Sequence, residues 1–239
     1  MSQARVYFTP SDIDLAVLKA SVGVVIDVLR ATTTIVTALA NGARQIVPVS
    51  SVDKALALKA ELAEISPLLC GERNGKKLPQ FDLGNSPSEY TRGTVTGRTL
   101  IFASTNGSKT ILASSKAKKL FIAGFVNLPF AVKSLANTGK NIVIICAGKL
   151  DKFGLDDVIC AGMMVQTLVS ANYELVGDEA LAASMLYTAN KRDIEGALKK
   201  TSHGQYLASL GYEKDIEFAS RVGIYKSLPR LEGRRILPY

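Results

Sequence analysis

Histidine is almost missing from this 239-residue chain: His203 is the only one. That excludes zinc sites built on two or three histidines. Tryptophan is absent, and the other aromatic residues are not interleaved with Lys and Arg as stacking platforms for nucleic acid would be. Nucleic acid is therefore not expected as a partner. Cysteine is scarce and odd in number, with Cys70, Cys146 and Cys160 each inside an apolar run. Reduced, buried thiols in a cytoplasmic protein are expected rather than a disulfide framework. The segment Met1–Pro10 has no apolar signal core, and the longest apolar run, Val158–Val165, falls far short of the ~20 residues a membrane span needs. A soluble, non-exported protein with no membrane partner is expected.

Familiar catalytic patterns are missing too. Neither G-x-x-x-x-G-K-[ST] nor G-x-G-x-x-G occurs, which argues against P-loop hydrolysis and Rossmann dinucleotide binding. A G-x-S-x-G nucleophile elbow is also lacking. A cysteine phosphatase would need an arginine six residues after its thiolate. Cys70 and Cys146 are instead followed at that spacing by Lys76 and Lys152, which lack the bidentate guanidinium fork.

What is present is an apolar fraction of 47%, enough for a sizeable core, and an excess of 29 Lys and Arg over 21 Asp and Glu. The net charge of +8 favours an anionic partner. Short β-branched runs at Val6–Phe8, Gly23–Leu29, Gln45–Val49, Leu68–Gly71, Arg98–Ala103, Lys119–Ala123 and Asn141–Cys146 alternate with helical stretches. That order predicts an α/β fold, three layers with helices on both faces of a mainly parallel sheet. After Gly148 alanine-rich helical patterns take over, so the C-terminal third is expected to be mainly helical. A composition shift at Thr91–Gly97 suggests two lobes, residues 1–95 and 96–239, with one compact unit as the alternative.

In such sheets ligands bind beyond the carboxyl ends of the strands, and three segments put chemistry there. In Val24-Val25-Ile26-Asp27-Val28-Leu29-Arg30-Ala31-Thr32-Thr33-Thr34, an apolar strand delivers an acid and an arginine, and threonines open a helix. Helix-start N–H groups and hydroxyls suit an anion, Arg30 could grip oxygens in pairs, and Asp27, with no second acid two residues on, suits a Mg²⁺ ligand better than a nucleophile. Ser104-Thr105-Asn106-Gly107-Ser108 reads as a second anion cradle, its glycine allowing close backbone approach. Gly71-Glu72-Arg73-Asn74-Gly75 offers a metal ligand and an anion clamp. In the following Phe81-Asp82-Leu83-Gly84-Asn85-Ser86-Pro87-Ser88-Glu89, the residues Ser86, Pro87 and Glu89 predict a capping box, which leaves Asp82 and Asn85 as site candidates. Asp156 and Asp157, with Lys149 just upstream, read partly as acids opening a helix, and Asp178 reads as the cap of another. His203 reads as a helix-start residue before it reads as a general acid.

With these motifs in place the chain resembles the 2-phosphosulfolactate phosphatase family. Ile26–Thr33, Gly71–Gly75, Phe81–Pro87, Ser104–Gly107 and Leu155–Gly162 carry the resemblance in the family's order, with weaker similarity at Ser202–Gly204 and Asp215. The resemblance implies a Mg²⁺-dependent phosphatase of coenzyme M biosynthesis that hydrolyses (2R)-2-O-phospho-3-sulfolactate to (2R)-3-sulfolactate and phosphate. A small polyanionic substrate also suits the net charge, and a homo-oligomer is left open. Where the family usually has Glu, this chain has Asp156. Residue chemistry then suggests Mg²⁺ on Asp27 with Glu72 or Asp157. Arg30, Arg73 and Lys149 would neutralise charge, and Thr32, Thr33, Asn74, Asp82, Asn85, Ser104, Thr105, Asn106, Gly107 and Ser108 would contact substrate. A phosphatase for another small phosphorylated acid and a non-catalytic anion-binding module are the alternatives.

Overall fold

Side chains alternate along the central strands, and this sets the layers. In β2 (Val22–Ile26), Val22, Val24 and Ile26 enter one core while Val25 enters another; in β7 (Ile142–Cys146), Ile142, Ile144 and Cys146 divide in the same way from Val143 and Ile145. Both strands are buried on both faces, as expected where helices cover a parallel sheet on each side.

The computed structural model describes residues Met1–Tyr239. The other strands are β1 (Gln3–Tyr7), β3 (Gln45–Pro48), β4 (Leu68–Gly71), β5 (Thr99–Ala103), β6 (Lys119–Ala123), β8 (Glu174–Val176), β9 (Arg230–Glu232) and β10 (Arg235–Leu237). They form one sheet in the order β4-β5-β3-β10-β9-β6-β2-β7-β1-β8. Two parallel blocks, β4-β5-β3 and β6-β2-β7-β1-β8, are joined by the antiparallel hairpin β9–β10. Residues before and after position 95 pair within each block.

The helices are α1 (Leu15–Ala20), α2 (Ala31–Ala40), α3 (Val52–Glu61), α4 (Arg92–Val95), α5 (Gly107–Ala113), α6 (Leu128–Ala136), α7 (Leu155–Val169), α8 (Asp178–Asn190), α9 (Ile194–Lys200), α10 (Ser202–Ser209) and α11 (Glu213–Ala219). One core packs α6, α7 and the C-terminal helices on β1, β2, β6 and β7. A second joins Ile35 and Ala38 of α2 and Ile111 of α5 to residues of both parallel blocks, among them Val25, Ile122, Ile46 and Leu100. The sheet therefore curls about α2 and α5. The α/β class and the helical C-terminal third are as expected.

Three local expectations need correction. The strand expected to reach Leu29 stops at Ile26, because the Asp27 N–H donates to the Thr32 hydroxyl at 3.0 Å and leaves the ladder. The capping box at Ser86 does not form: Pro87–Glu89 is one 3₁₀ turn, the Ser86 hydroxyl donates to Asp215, and Glu89 accepts from the Gly84 N–H. Asp178 is the first helical residue of α8, behind Gly177 at the N-cap. The terminal hairpin has no pattern in the sequence to mark it, because its strands are three residues each and carry several charges.

Candidate active site

Four strand ends converge on one cavity of about 290 Å³. The β2 end gives Asp27, Leu29 and Arg30; the β4 end gives Glu72, Asn74 and Gly75; the β5 end gives Ser104, Thr105 and Asn106; the β7 end gives Lys149 and Leu150. Asn85 and, from α10, His203, Tyr206 and Leu207 complete the wall. All lie at the carboxyl edge of the parallel strands, where side chains can project without breaking the ladder.

Asp27 sits at the buried end of this wall. Its Oδ1 accepts the Ala31 N–H at 3.2 Å, which makes it the partner of the first turn of α2. Its Oδ2 has no protein partner and keeps access to the cavity. Burial raises the carboxyl from 3.8 to about 6, against the favourable field of His203 and the Ala31 N–H; Asp156 and Glu72 push the same way as burial. Gly107 explains how α5 comes so close, because a Cβ there would stand 2.5 Å from Asp27 Oδ2. The close approach expected of this glycine is thus made to Asp27.

Glu72 is a clamp between loops. Its Oε1 accepts the Thr105 N–H at 2.7 Å, and its Oε2 accepts from Gly75 N–H at 2.8 Å and Thr105 Oγ1 at 3.1 Å. Ser104 and Ser108 bond reciprocally, each hydroxyl accepting the other's backbone N–H. Arg30 is buried and held on three sides: Nη1 donates to Asp215 at 2.7 Å, Nη2 to the Gly75 carbonyl at 2.6 Å, and its guanidinium lies 4.2 Å from the Tyr212 ring centre. A buried guanidinium needs such partners. Lys149 is freer, half-buried with its ammonium 4.5 Å over the Tyr206 ring.

The structure brings Asp27, Arg30, Glu72, Asn74, Asn85, Ser104, Thr105, Asn106 and Lys149 to the cavity and does not bring Thr32, Thr33, Arg73, Asp82, Gly107, Ser108 or Asp157 to its wall. The threonines fail as anion donors because their hydroxyls donate elsewhere: Thr32 to the Asp27 carbonyl, Thr33 to Val28, Thr34 to Asn85. Arg73 donates back to the Glu72 carbonyl. Asp82 is exposed, accepting from the Leu69 N–H and from Lys59 at 3.0 Å. Asp157 is sealed, Oδ1 on the Val28 N–H at 2.8 Å and Oδ2 on the Gly148 N–H at 3.0 Å, while burial and the neighbouring Asp156 and Asp27 hold its carboxyl well above the usual range. Sequence reasoning missed Tyr206 and Leu207, which reach the cavity from α10; Asp215, which holds Arg30 from α11, carried only a weak family similarity.

Mg²⁺ takes one or two carboxylates and fills its octahedron with water and substrate oxygens. Asp27 fits that role as a buried aspartate whose Oδ2 accepts no protein hydrogen bond and is open to the cavity. Glu72 lies on the same wall with both oxygens already accepting. No group of three or more His, Cys, Asp or Glu is arranged to hold a metal ion.

Fold and site together define the class: a parallel α/β enzyme with one charged pocket at the carboxyl ends of its strands. Residues 7–234 match the 2-phosphosulpholactate phosphatase family. The chain is 39% identical to the probable 2-phosphosulfolactate phosphatase of Thermotoga petrophila, covering 87% of this chain and 88% of the relative. It is 36% identical to the protein of the same name in Caldanaerobacter subterraneus subsp. tengcongensis, over 96% and 95% of the two chains, and 40% identical to that of Pseudothermotoga lettingae, over 86% and 87%. The chain belongs to the 2-phosphosulfolactate phosphatase family and is a phosphoric monoester hydrolase.

Proposed function

We propose that the chain hydrolyses (2R)-2-O-phospho-3-sulfolactate to (2R)-3-sulfolactate and phosphate, with Mg²⁺, as a cytoplasmic enzyme of coenzyme M biosynthesis. The observation that carries this reading is the meeting, in one small cavity of a chain from this family, of the buried Asp27, whose Oδ2 accepts no protein hydrogen bond, and the cations Arg30 and Lys149. The three buried free cysteines support a reducing compartment, and no helix is long and apolar enough to cross a membrane.

Asp27, with Glu72 on the same wall, would hold the Mg²⁺. When bound, the ion supplies charge neutralisation to the phosphoryl oxygens. Lys149 attracts the remaining anionic groups from its seat over Tyr206 on the cavity wall. Arg30 is committed to Asp215 and Gly75, so it adds fixed positive potential and holds the loop after β4 in place. Asn74 and Asn106 offer amides at the rim. Leu29, Leu150 and Leu207 keep part of the wall apolar, which strengthens the charges beside it.

Phosphate release should be measured across phosphorylated carboxylic and sulfonic acids, with EDTA and with Mg²⁺ restored. The reading expects fastest release from phosphosulfolactate, loss in EDTA and recovery with Mg²⁺. Preference for another acid would replace the substrate, turnover persisting in EDTA would remove the metal, and binding without release would make the chain an anion-binding module.

A further inference from the structure

We infer that His203 is the general acid that protonates the departing alcohol oxygen, with Asp156 as its positioning residue. This rests on the ester hydrolysis proposed above. His203 lies in the first turn of α10, yet the cap of that helix belongs to Thr201, whose hydroxyl accepts the Gly204 N–H at 2.9 Å. Helix initiation therefore leaves the imidazole unexplained. Its Nδ1 faces Oδ2 of Asp156 at 3.3 Å, and Asp156 is buried in the first turn of α7. A carboxylate at Nδ1 keeps a proton on that nitrogen and leaves Nε2 as the working one. The His203 side chain remains 17% exposed against 5% for Asp156, and His203, not Asp156, lines the cavity. The ring is thus anchored on its inner side and open on the cavity side.

The cavity's other proton carriers are otherwise occupied. Tyr206 gives its hydroxyl proton to the Asn74 carbonyl at 2.9 Å, and both Glu72 oxygens accept from the β4 and β5 loops. Asp27 is the carboxylate left for a cation, and Lys149 is a point charge over an aromatic ring. An alkyl phosphate leaves as a strongly basic alkoxide, which cations stabilise poorly and a proton stabilises well. In the step, a water oxygen bonds to phosphorus as the bond from phosphorus to the ester oxygen breaks. The ester oxygen takes the Nε2 proton, and the proton released by the water restores the imidazolium through solvent.

The test compares an alkyl ester with an aryl ester whose phenolate leaves without a proton. In His203→Asn the amide can still donate to Asp156, but no proton can be passed on. Phosphosulfolactate or 2-phospholactate turnover should fall roughly 10²–10⁴-fold, p-nitrophenyl phosphate turnover far less, and the melting midpoint should stay near wild type. Asp156→Asn should show the same alkyl-selective loss, weaker. Equal losses on the two esters, or a wild-type rate on the alkyl ester, would overturn the assignment; should His203→Asn not fold, His203→Gln is judged by the same ratio. A wild-type chain that cleaves 2-phospholactate but not phosphosulfolactate would displace the substrate proposed above, while the ratio between esters still decides the role of His203.

Discussion

Asp27 and Asp157 are aspartates buried at the same edge of one sheet, the first just past β2 and the second in the first turn of α7, and burial raises both carboxyls. Their surroundings separate them. Asp157 spends both oxygens on the N–H groups of Val28 and Gly148, tying the β2 and β7 loops together. Asp27 spends one oxygen on the start of α2 and turns the other to the cavity. A buried acid with every lone pair directed at backbone is architecture. One with an idle oxygen at a cavity wall bears a desolvation penalty that folding does not offset, and such groups concentrate at functional sites.

The largest effect should come from Asp27→Asn. The amide oxygen can keep the Ala31 bond, but the negative charge at the cavity is lost, and phosphate release should drop on the order of 10³-fold. A near-wild-type rate from a folded variant would break the contrast. The same change should alter stability with opposite benefit. In metal-free buffer the folded chain holds the Asp27 proton up to about pH 6, whereas the unfolded chain releases it near 3.8. The folded state binds more protons across that window, so its stability falls as pH rises from about 4 to 6 and levels off above it. The span corresponds to about 3 kcal/mol, and the difference in melting midpoint between wild type and Asp27→Asn should therefore grow through the window in favour of the variant. No change in that difference with pH would mean that Asp27 is not desolvated as its burial implies.

Asp157→Asn sharpens the other half. Its amide nitrogen must face one of two buried backbone donors, so a loss of about 1–3 kcal/mol is expected, read as a lower midpoint in denaturant. An equal or higher midpoint would show that the tie between the β2 and β7 loops contributes nothing.

How far the sequence disclosed all this follows the same division. Strand positions were legible because Val22–Ile26, Leu120–Ala123 and Ile142–Cys146 are continuous runs without a charged or polar side chain, and the rule that ligands gather at strand ends then located Asp27, Glu72, Ser104 and Lys149. Lone-pair occupancy was not legible. Thr32, Thr33 and Thr34 look like an anion cradle by residue type, yet each hydroxyl finds a carbonyl that only the folded loop supplies. Asp215 sits 185 positions from Arg30, in a helix whose pattern reports only its packing face. Tertiary contacts of that range have no local signal, so the wall formed by α10 and the Arg30 partner on α11 stayed hidden although a helical C-terminal third was expected.

Lys149 gives the smallest and most diagnostic effect. Unlike Arg30, it has no carboxylate partner; its ammonium rests over the ring of Tyr206 on the cavity wall. If the idle oxygen of Asp27 marks the site of chemistry, Lys149 should act mainly in attracting the anionic substrate. Removing a half-exposed charge is worth about 1 kcal/mol at most, so Lys149→Gln should raise KM up to about fivefold with kcat little changed. The deficit should shrink as salt is added, since screening weakens an exposed charge more than a buried one. A fall in kcat with unchanged KM would instead put Lys149 against the transferring phosphoryl group, and the line between architecture and chemistry would then run through the β7 loop rather than between Asp27 and Asp157.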